Sequence, residues 1–221
     1  MQSLGHREYH MIHHNLINML QARGVVLRNL DTGEIESDLS GLRIPDAVFA
    51  QMNIGDEMNL KDSGSYRIWD PRLERPVYII ILSPNAIINK GNLPGLIRIA
   101  FTYFGEKIPD DFTPRTFHLI IVGQLRKSRV GLKQFGFEIW DAQSLIYNPS
   151  QHIYVPKHVL LSPEEAQEVI ARYSKIALPK ILETDIQPRW LGAKPDQIIR
   201  IERPTEMAYR LVIPDYNSRG S

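Results

Sequence analysis

The sequence predicts an α+β protein of two domains, and three patterns support that prediction. The first two thirds of the chain alternate helix-like and strand-like segments, including two wholly apolar strands. Turn-forming residues interrupt this order near residue 150, and one capped helix and two short strands ended by prolines follow. We therefore expect an α/β domain with a partly parallel sheet over residues 1–150, and a smaller domain of helices packed on a mixed sheet over residues 151–221.

The first segment, residues 8–22, has the apolar spacing of an amphipathic helix that ends at Arg23-Gly24. Its expected inward side chains are Tyr9, Ile12, Leu16, Met19 and Leu20. A strand over residues 25–27 and a turn over residues 31–34 are expected next. Residues 40–69 show no clean period, so we assign them irregular structure or short strands.

Two apolar, β-branched runs at residues 76–83 and 116–122 predict strands that are covered on both faces. An amphipathic helix that ends at Gly105 is predicted between them. Its apolar positions are Leu93, Leu96, Ile97, Ala100, Phe101 and Phe104. Strand, helix and strand in this order predict a parallel βαβ unit. A strand over residues 136–140 and a short helix over residues 141–147 complete the first domain.

The second domain begins with a strong helix signal. Ser162 is a candidate N-cap, Pro163 suits the first helical position, and Glu165 completes a capping box. One apolar stripe follows at Ala166, Val169, Ile170 and Tyr173. A turn is predicted over residues 192–196, and strands over residues 197–203, with Ile199 and Ile201 on one face, and over residues 209–213.

Composition excludes several functional classes. The chain has 221 residues and no cysteine, which excludes disulfides, thiol catalysis and cysteine-based metal sites. Its formal net charge is only +1, so the chain lacks the global positive charge of many nucleic-acid binders. Any DNA contact therefore requires a local basic patch. The longest apolar run, residues 77–82, is far below the ~20 residues of a membrane span, and the N-terminus is polar. We expect a soluble, intracellular protein that does not contact a membrane.

Several short motifs in the last third of the chain occur in a characteristic order. They are V-P-K-H at 155–158, L-P-K-I at 178–181, G-A-K at 192–194, R-I-E-R-P at 200–204 and Y-R-L at 209–211. Together they resemble the C-terminal assembly domain of the fifth subunit of eukaryotic RNA polymerases and of its archaeal counterpart. The resemblance covers residues 155–212.

Three departures from the family pattern lie in turns. Ile186 and Gln187 separate Asp185 from Pro188, Asp196 replaces a turn glycine, and the loop before the last strand is short. We expect a redrawn turn at Pro188, a left-handed backbone at Asp196 and a tight final hairpin. These variations resemble the divergent copies encoded by large cytoplasmic DNA viruses.

The resemblance implies a non-catalytic subunit of a DNA-dependent RNA polymerase, without cofactor or metal. Its C-terminal domain is expected to dock on the largest subunit, with Lys157, His158, Trp190 and Arg203 as partner contacts. Residues 7–24 resemble the first helix of the family's jaw domain, which is expected near downstream double-stranded DNA. The implied location is the nucleus for a eukaryotic source, or the host cytoplasm or virion for a viral one.

A basic loop follows the second apolar strand and is the candidate DNA contact. Its residues are Arg126, Lys127, Ser128, Arg129 and Lys133. Cations and a hydroxyl donor suit phosphate contacts. The alternative is a solvated or salt-bridged surface loop. No aromatic residue is interleaved, so stacking on single-stranded bases is disfavoured.

Other candidate sites have simpler explanations. His10, His13 and His14 have helical spacing suitable for a metal, but a polar helix face explains them more simply. Asp110-Asp111 and Glu138 suggest a metal-dependent nuclease, but position 140 is Trp where such an enzyme needs lysine. The alternatives to a polymerase subunit are therefore a stand-alone DNA-binding or nuclease-like protein and a small adaptor without nucleic-acid contact.

Overall fold

The computed structural model describes residues 5–28, 34–39, 66–72, 74–81, 87–89, 91–103, 118–125 and 137–215. The chain divides into two compact units, Met1–Tyr147 (unit 1) and Asn148–Ser221 (unit 2). Unit 1 contains a mixed sheet with parallel strands, and unit 2 contains short helices on a mixed sheet, which confirms the predicted α+β class. Within the described ranges, every helix falls short of the length and apolar character that a membrane span requires.

Unit 1 begins with a helix and continues with short strands around a central sheet. Its described elements are helix α1 (His6–Ala22), strands β1 (Leu27–Arg28), β2 (Ile35–Glu36), β3 (Tyr66–Asp70), β4 (Arg75–Ile81) and β5 (Ile87–Ile88), helix α2 (Leu93–Tyr103), strands β6 (His118–Leu125) and β7 (Glu138–Asp141), and a 3-10 helix (Ala142–Leu145).

The sheet of unit 1 contains the predicted parallel βαβ unit. Strands β4 and β6 pair in parallel, and α2 lies between them in sequence. All residues of β4 from Val77 to Ile81 are buried, as an apolar strand covered on both faces requires. The antiparallel strand β3 pairs with β4 on one side, while β5 and β7 both pair in parallel with β6. The predicted α2 residues Leu93 and Ile97 are buried, whereas Phe104 and Gly105 lie outside the described residues.

Helix α1 buries the predicted apolar stripe. Tyr9, Ile12, Leu16, Met19 and Leu20 are all 2% exposed or less. The helix is also linked to the end of the unit, because the amide of the buried Asn15 donates to the carbonyls of Leu145 and Ile146 at 2.9 Å each.

Strand β3 is the main element of unit 1 whose own sequence shows no clear strand pattern. It falls in the stretch without a clean period, and its regularity comes from antiparallel pairing with β4 and a bridge from Val26 to Trp69. The predicted strand over residues 25–27 is observed as that bridge and strand β1. The predicted turn at residues 31–34 lies outside the described residues, except for Glu34.

Unit 2 is a four-stranded sheet covered by a helix on each face. Its elements are a 3-10 helix (Pro149–Gln151), strand β8 (Lys157–Leu160), helix α3 (Pro163–Tyr173), strand β9 (Lys180–Leu182), helix α4 (Ile186–Leu191), and strands β10 (Ile198–Glu202) and β11 (Met207–Ile213). The strand order is β8-β10-β11-β9, with antiparallel pairing except between β11 and β9.

The strand period of two gives this sheet two apolar faces. On the α3 face, Ile198 and Leu211 pack with Val169 of the helix. On the α4 face, Ile199, Ile201 and Val212 pack with Leu191 and Ala193. The predicted helix at Ser162 and the shared face of Ile199 and Ile201 are confirmed. The sequence patterns that we considered did not predict α4.

Candidate partner-binding surface

Strand β8 places the first two candidate contacts on opposite faces of the unit 2 sheet. Lys157 lies opposite Glu202 of β10, and His158 lies opposite Ile201. Since successive side chains alternate, Lys157 belongs to the α3 face and His158 to the α4 face. These two predicted contacts therefore lie on different faces of the sheet, on its edge strand β8.

The α3 face carries a chain of ion pairs beyond its apolar cluster. Lys157 Nζ lies 3.1 Å from Glu202, and Arg200 lies 3.0 Å from Glu202 and 3.3 Å from Glu165 of α3. Hydrogen bonds from Lys157 and Arg200 lower the pKa of Glu202. The charges of these four residues are therefore compensated within unit 2.

His158 is half-buried and has its tautomer set by the backbone. Its Nδ1 lies 2.7 Å from the carbonyl oxygen of Pro156, which can only accept, so Nδ1 carries the proton. Burial lowers the pKa of His158, and the nearby charge of Arg203 lowers it further. The imidazole is therefore neutral at pH 7, and its Nε2 is a hydrogen-bond acceptor.

Arg203 lies in the tight turn that joins β10 and β11. Its backbone N–H donates to the carbonyl of Glu206 at 3.0 Å, and its guanidinium pairs with the Glu206 carboxylate at 2.5 Å. The short connection confirms the expected tight hairpin. The predicted left-handed backbone is also confirmed, because Asp196 has φ 73°.

Arg210 also lies on the α4 face, although it was not among the contacts predicted from the sequence. It lies opposite Ile199 and is half-buried, and within the described part of the chain its guanidinium has no hydrogen-bond or ion-pair partner. The signal was present in the Y-R-L motif, because strand alternation places Arg210 beside Ala208 and Val212 on the covered face.

Trp190 is buried in the structure. Its side chain, on α4, is 1% exposed. Helix α4 begins after Asp185 with Pro188 in its first turn, where proline is tolerated, and ends at Gly192 with φ 66°. The departure from the family pattern at Pro188 thus falls within a short helix. The partner-binding roles of Lys157, His158, Trp190 and Arg203 remain predictions.

In unit 1, Glu138 has a structural environment that does not suit nuclease chemistry. Arg23 donates to both carboxylate oxygens, at 2.9 and 2.5 Å, Trp140 donates to one at 2.5 Å, and His118 Nε2 lies 3.0 Å from the other. Burial alone would raise the pKa of Glu138, but the charge of Arg23 and these hydrogen bonds hold it well below its usual value. The carboxylate is committed to these internal partners, which favours a structural role for Glu138 over a metal-binding one.

The histidines of α1 occupy different environments. His13 is 2% exposed, whereas His10 and His14 are half-buried. Burial, with smaller contributions from His10 and His14, lowers the pKa of His13 to about 4. In the described ranges, no group of three or more His, Asp or Glu side chains has a metal-binding arrangement.

The remaining predicted site residues lie outside the described ranges. These are the basic-loop residues Arg126, Lys127, Ser128, Arg129 and Lys133, together with Asp110 and Asp111. The proposed DNA contact therefore stays a prediction from sequence.

Comparison with known proteins agrees with the architecture of unit 2. Residues 147–213 match the family model described as RNA polymerase Rpb5, C-terminal domain. A DNA-directed RNA polymerase subunit Rpo5 from Methanothrix thermoacetophila is 48% identical over 69 residues, which are 28% of this chain and 88% of the relative. The Rpo5 subunit of Methanocaldococcus jannaschii is 45% identical over 71 residues, which are 29% of this chain and 91% of the relative.

A nematode relative is matched over a smaller share of its length. The DNA-directed RNA polymerases I, II, and III subunit RPABC1 of Caenorhabditis elegans is 38% identical over 76 residues, which are 31% of this chain and 36% of the relative. All three relatives are RNA polymerase subunits, and this similarity defines the class of the protein. Within that class, the chain belongs to the Rpb5 family, whose members lack a catalytic site.

Proposed function

We propose that this protein is a non-catalytic subunit of a multisubunit DNA-directed RNA polymerase and that unit 2 docks on the largest subunit. The main observation behind the proposal is that the region matched by the family model covers nearly all of unit 2. Residues 147–213 include all four strands of its sheet and both helices. The domain that the family has in common is thus a complete folded unit with its own core.

Unit 1 is proposed to act as a jaw beside downstream double-stranded DNA. Two observations support this role: residues 7–24 resemble the family's first jaw helix, and the cations of residues 126–133 follow strand β6 in the sequence. Lysine and arginine side chains there would neutralise phosphates without reading bases. Polymerisation itself would be carried out by other subunits.

Co-purification tests the proposal. A tagged full-length chain, expressed in its native source, is expected to recover the two large polymerase subunits at equal stoichiometry. Recovery as a free monomer would contradict the proposal and favour the stand-alone DNA-binding protein. Recovery with other proteins but without polymerase subunits would favour the adaptor.

The source and cellular location depend on each other. A polymerase subunit is expected in the nucleus of a eukaryote, or in the host cytoplasm or virion if its gene is viral. The viral interpretation is carried only by the variations around Pro188, Asp196 and the β10–β11 turn. The archaeal and nematode relatives give it no support.

A further inference from the structure

We propose that the α4 face of the unit 2 sheet binds an acidic, extended segment of a partner protein through Arg210, Arg203 and His158. This inference rests on the proposed function, because it names the chemistry of the partner segment that unit 2 contacts. The three residues form what we call the basic rim of the α4 face.

The two faces of the sheet differ in how their charges are compensated. On the α3 face, Lys157, Arg200 and Glu202 all have ion-pair partners at 3.0–3.3 Å. On the α4 face, Arg210 has none among the described residues, although it is half-buried beside an apolar cluster. A guanidinium that is partly removed from water is costly without an anion, so the position favours an external carboxylate.

The rim residues lie at a part of the α4 face that is not fully covered, because His158 and Arg210 are half-buried and Arg203 is exposed. Arg210 lies opposite Ile199, and His158 lies opposite Ile201. Arg203 is close enough for its charge to act on His158. Ile201 is 6% exposed, and Ala208, which lies opposite it, is only half-buried. Two arginines and a neutral imidazole acceptor at this half-buried part of the face suit a segment rich in acidic residues.

Each rim residue contributes a defined hydrogen-bonding group. The guanidinium of Arg210 offers a donor fork that matches a carboxylate. Arg203 uses one terminal nitrogen, Nη1, on Glu206, and its other guanidinium nitrogens have no hydrogen-bond partner among the described residues. His158 presents Nε2 as an acceptor, because Nδ1 is committed to Pro156. A peptide supplies both the carboxylates and the N–H donors that this set requires, whereas a phosphate backbone supplies no donor for Nε2.

Binding of model probes to the full-length chain tests the inference. The probe is a labelled peptide of alternating Glu and Leu, and the comparison probes are the Lys–Leu peptide and duplex DNA. We expect the Glu–Leu peptide alone to shift the amide signals of β10 and β11. We expect Arg210→Ala to weaken its binding about tenfold or more and Arg210→Lys to weaken it less, because lysine keeps the charge but loses the fork.

Arg172→Ala is the matched control. Arg172 is an exposed arginine on α3 that lies over the Tyr173 ring, so its loss should leave peptide binding unchanged. Thermal unfolding of each variant verifies that unit 2 remains folded. Equal binding by Arg210→Ala and the parent chain would overturn the inference. Arg210-dependent binding of DNA instead of the acidic peptide would also overturn it and would identify a nucleic-acid surface.

The same variants in the co-purification experiment separate this inference from the proposed function. If the parent chain recovers the large polymerase subunits and Arg210→Glu does not, both are supported. If Arg210→Glu recovers them as well as the parent does, only the basic-rim inference fails. If the parent chain recovers no polymerase subunit, the proposed function fails, and the peptide titration still decides the inference.

Discussion

Arg23 and Glu138 form a largely buried ion pair joined by two hydrogen bonds, although 115 residues separate them in the chain. Their side chains are 4% and 16% exposed. The pair connects the end of helix α1 to strand β7, and Trp140 and His118 complete the surroundings of the carboxylate. It links the beginning of the unit 1 core to one of its last strands.

Neutralising the carboxylate should destabilise unit 1 strongly. In Glu138→Gln, the buried Arg23 loses its counter-charge, and we expect the free energy of unfolding to fall by about 3–5 kcal/mol. Denaturant unfolding followed by Trp fluorescence measures the loss. Glu206→Gln, which removes an exposed partner of Arg203, should change the free energy by less than about 0.5 kcal/mol.

A double substitution tests whether the cost arises from the unpaired charge. Arg23→Met with Glu138→Leu removes both charges, so its loss of stability should be smaller than the sum of the two single losses. Additive losses would contradict the interpretation of the two residues as a coupled pair.

His13 should make unit 1 sensitive to mild acid. Its folded pKa of about 4 lies below the ordinary 6.5, so the unfolded chain binds the proton more tightly. The stability contributed by neutral His13 is therefore fully present above pH 6.5 and is lost as the pH decreases towards about 4. Below that pH the free energy of unfolding is lower by up to about 3 kcal/mol. Unfolding free energies measured across this interval, with NMR titration of the His13 ring, check the prediction.

The contribution of Glu138 has a different pH window. Its folded pKa is lowered, so the stabilisation that it provides is present above its ordinary pKa and is lost only as the pH falls through the lower folded value.

His10→Gln is the specific control for His13, because it removes one repulsive neighbour and should raise the folded pKa of His13. An unchanged His13 titration would contradict the contribution assigned to His10, but not the larger one assigned to burial.

The cap of α3 should contribute measurably to the stability of unit 2. Ser162 Oγ accepts from the backbone N–H of Glu165 at 3.2 Å, and the Glu165 carboxylate accepts from the N–H of Ser162 at 2.9 Å. Ser162→Ala should lower the free energy of unfolding by about 1 kcal/mol, whereas Ser162→Asn should retain most of it because asparagine also caps helices. Equal loss in the two variants would show that the cap is not responsible.

Removal of unit 2 should abolish assembly. A chain truncated after Gln151 keeps all described elements of unit 1, so we expect a folded protein that no longer joins the polymerase. Circular dichroism checks folding, and co-purification with the large subunits checks assembly. Incorporation of the truncated chain at normal stoichiometry would contradict the assignment of docking to unit 2.

The basic loop should contribute to DNA affinity through phosphate contacts, without any preference for the DNA sequence. If Arg126, Lys127 and Arg129 each contact a phosphate, replacing all three with Ala should reduce the salt slope of polymerase–DNA affinity by up to ~3 × 0.9. Open-complex half-lives across a salt series, at equal subunit content, measure the effect. Superimposable half-lives would leave the loop as a solvated surface.

The sequence by itself determined the elements whose information is local. Ile12 and Leu16 follow the helical period of α1, and Ser162 with Glu165 specifies the start of α3. The continuous apolar runs of β4 and β6 predict burial on both faces, and the chain order predicts their parallel pairing. These features depend on neighbouring residues or on periodic spacing, so they can be inferred without a partner strand.

Short-range signals for α4 were present in the sequence but did not suffice. Asp185 precedes the helix and Gly192 ends it, but Pro188 and a length of six residues gave no helical period to recognise. In the structure Trp190, on this short helix, is 1% exposed. The burial of its ring was not predicted from the sequence, and a partner contact at Trp190 stays a prediction.

Only the tertiary structure decided which distant groups meet. Strand β3 depends on pairing with β4, the environment of Glu138 depends on Arg23 across 115 residues, and the unpaired state of Arg210 among the described residues depends on the strand register. Sequence spacing specifies which face of an element a side chain occupies, but not which element covers that face. Burial, hydrogen-bond partners and charge compensation arise from that packing, and they set the chemistry of the candidate surface.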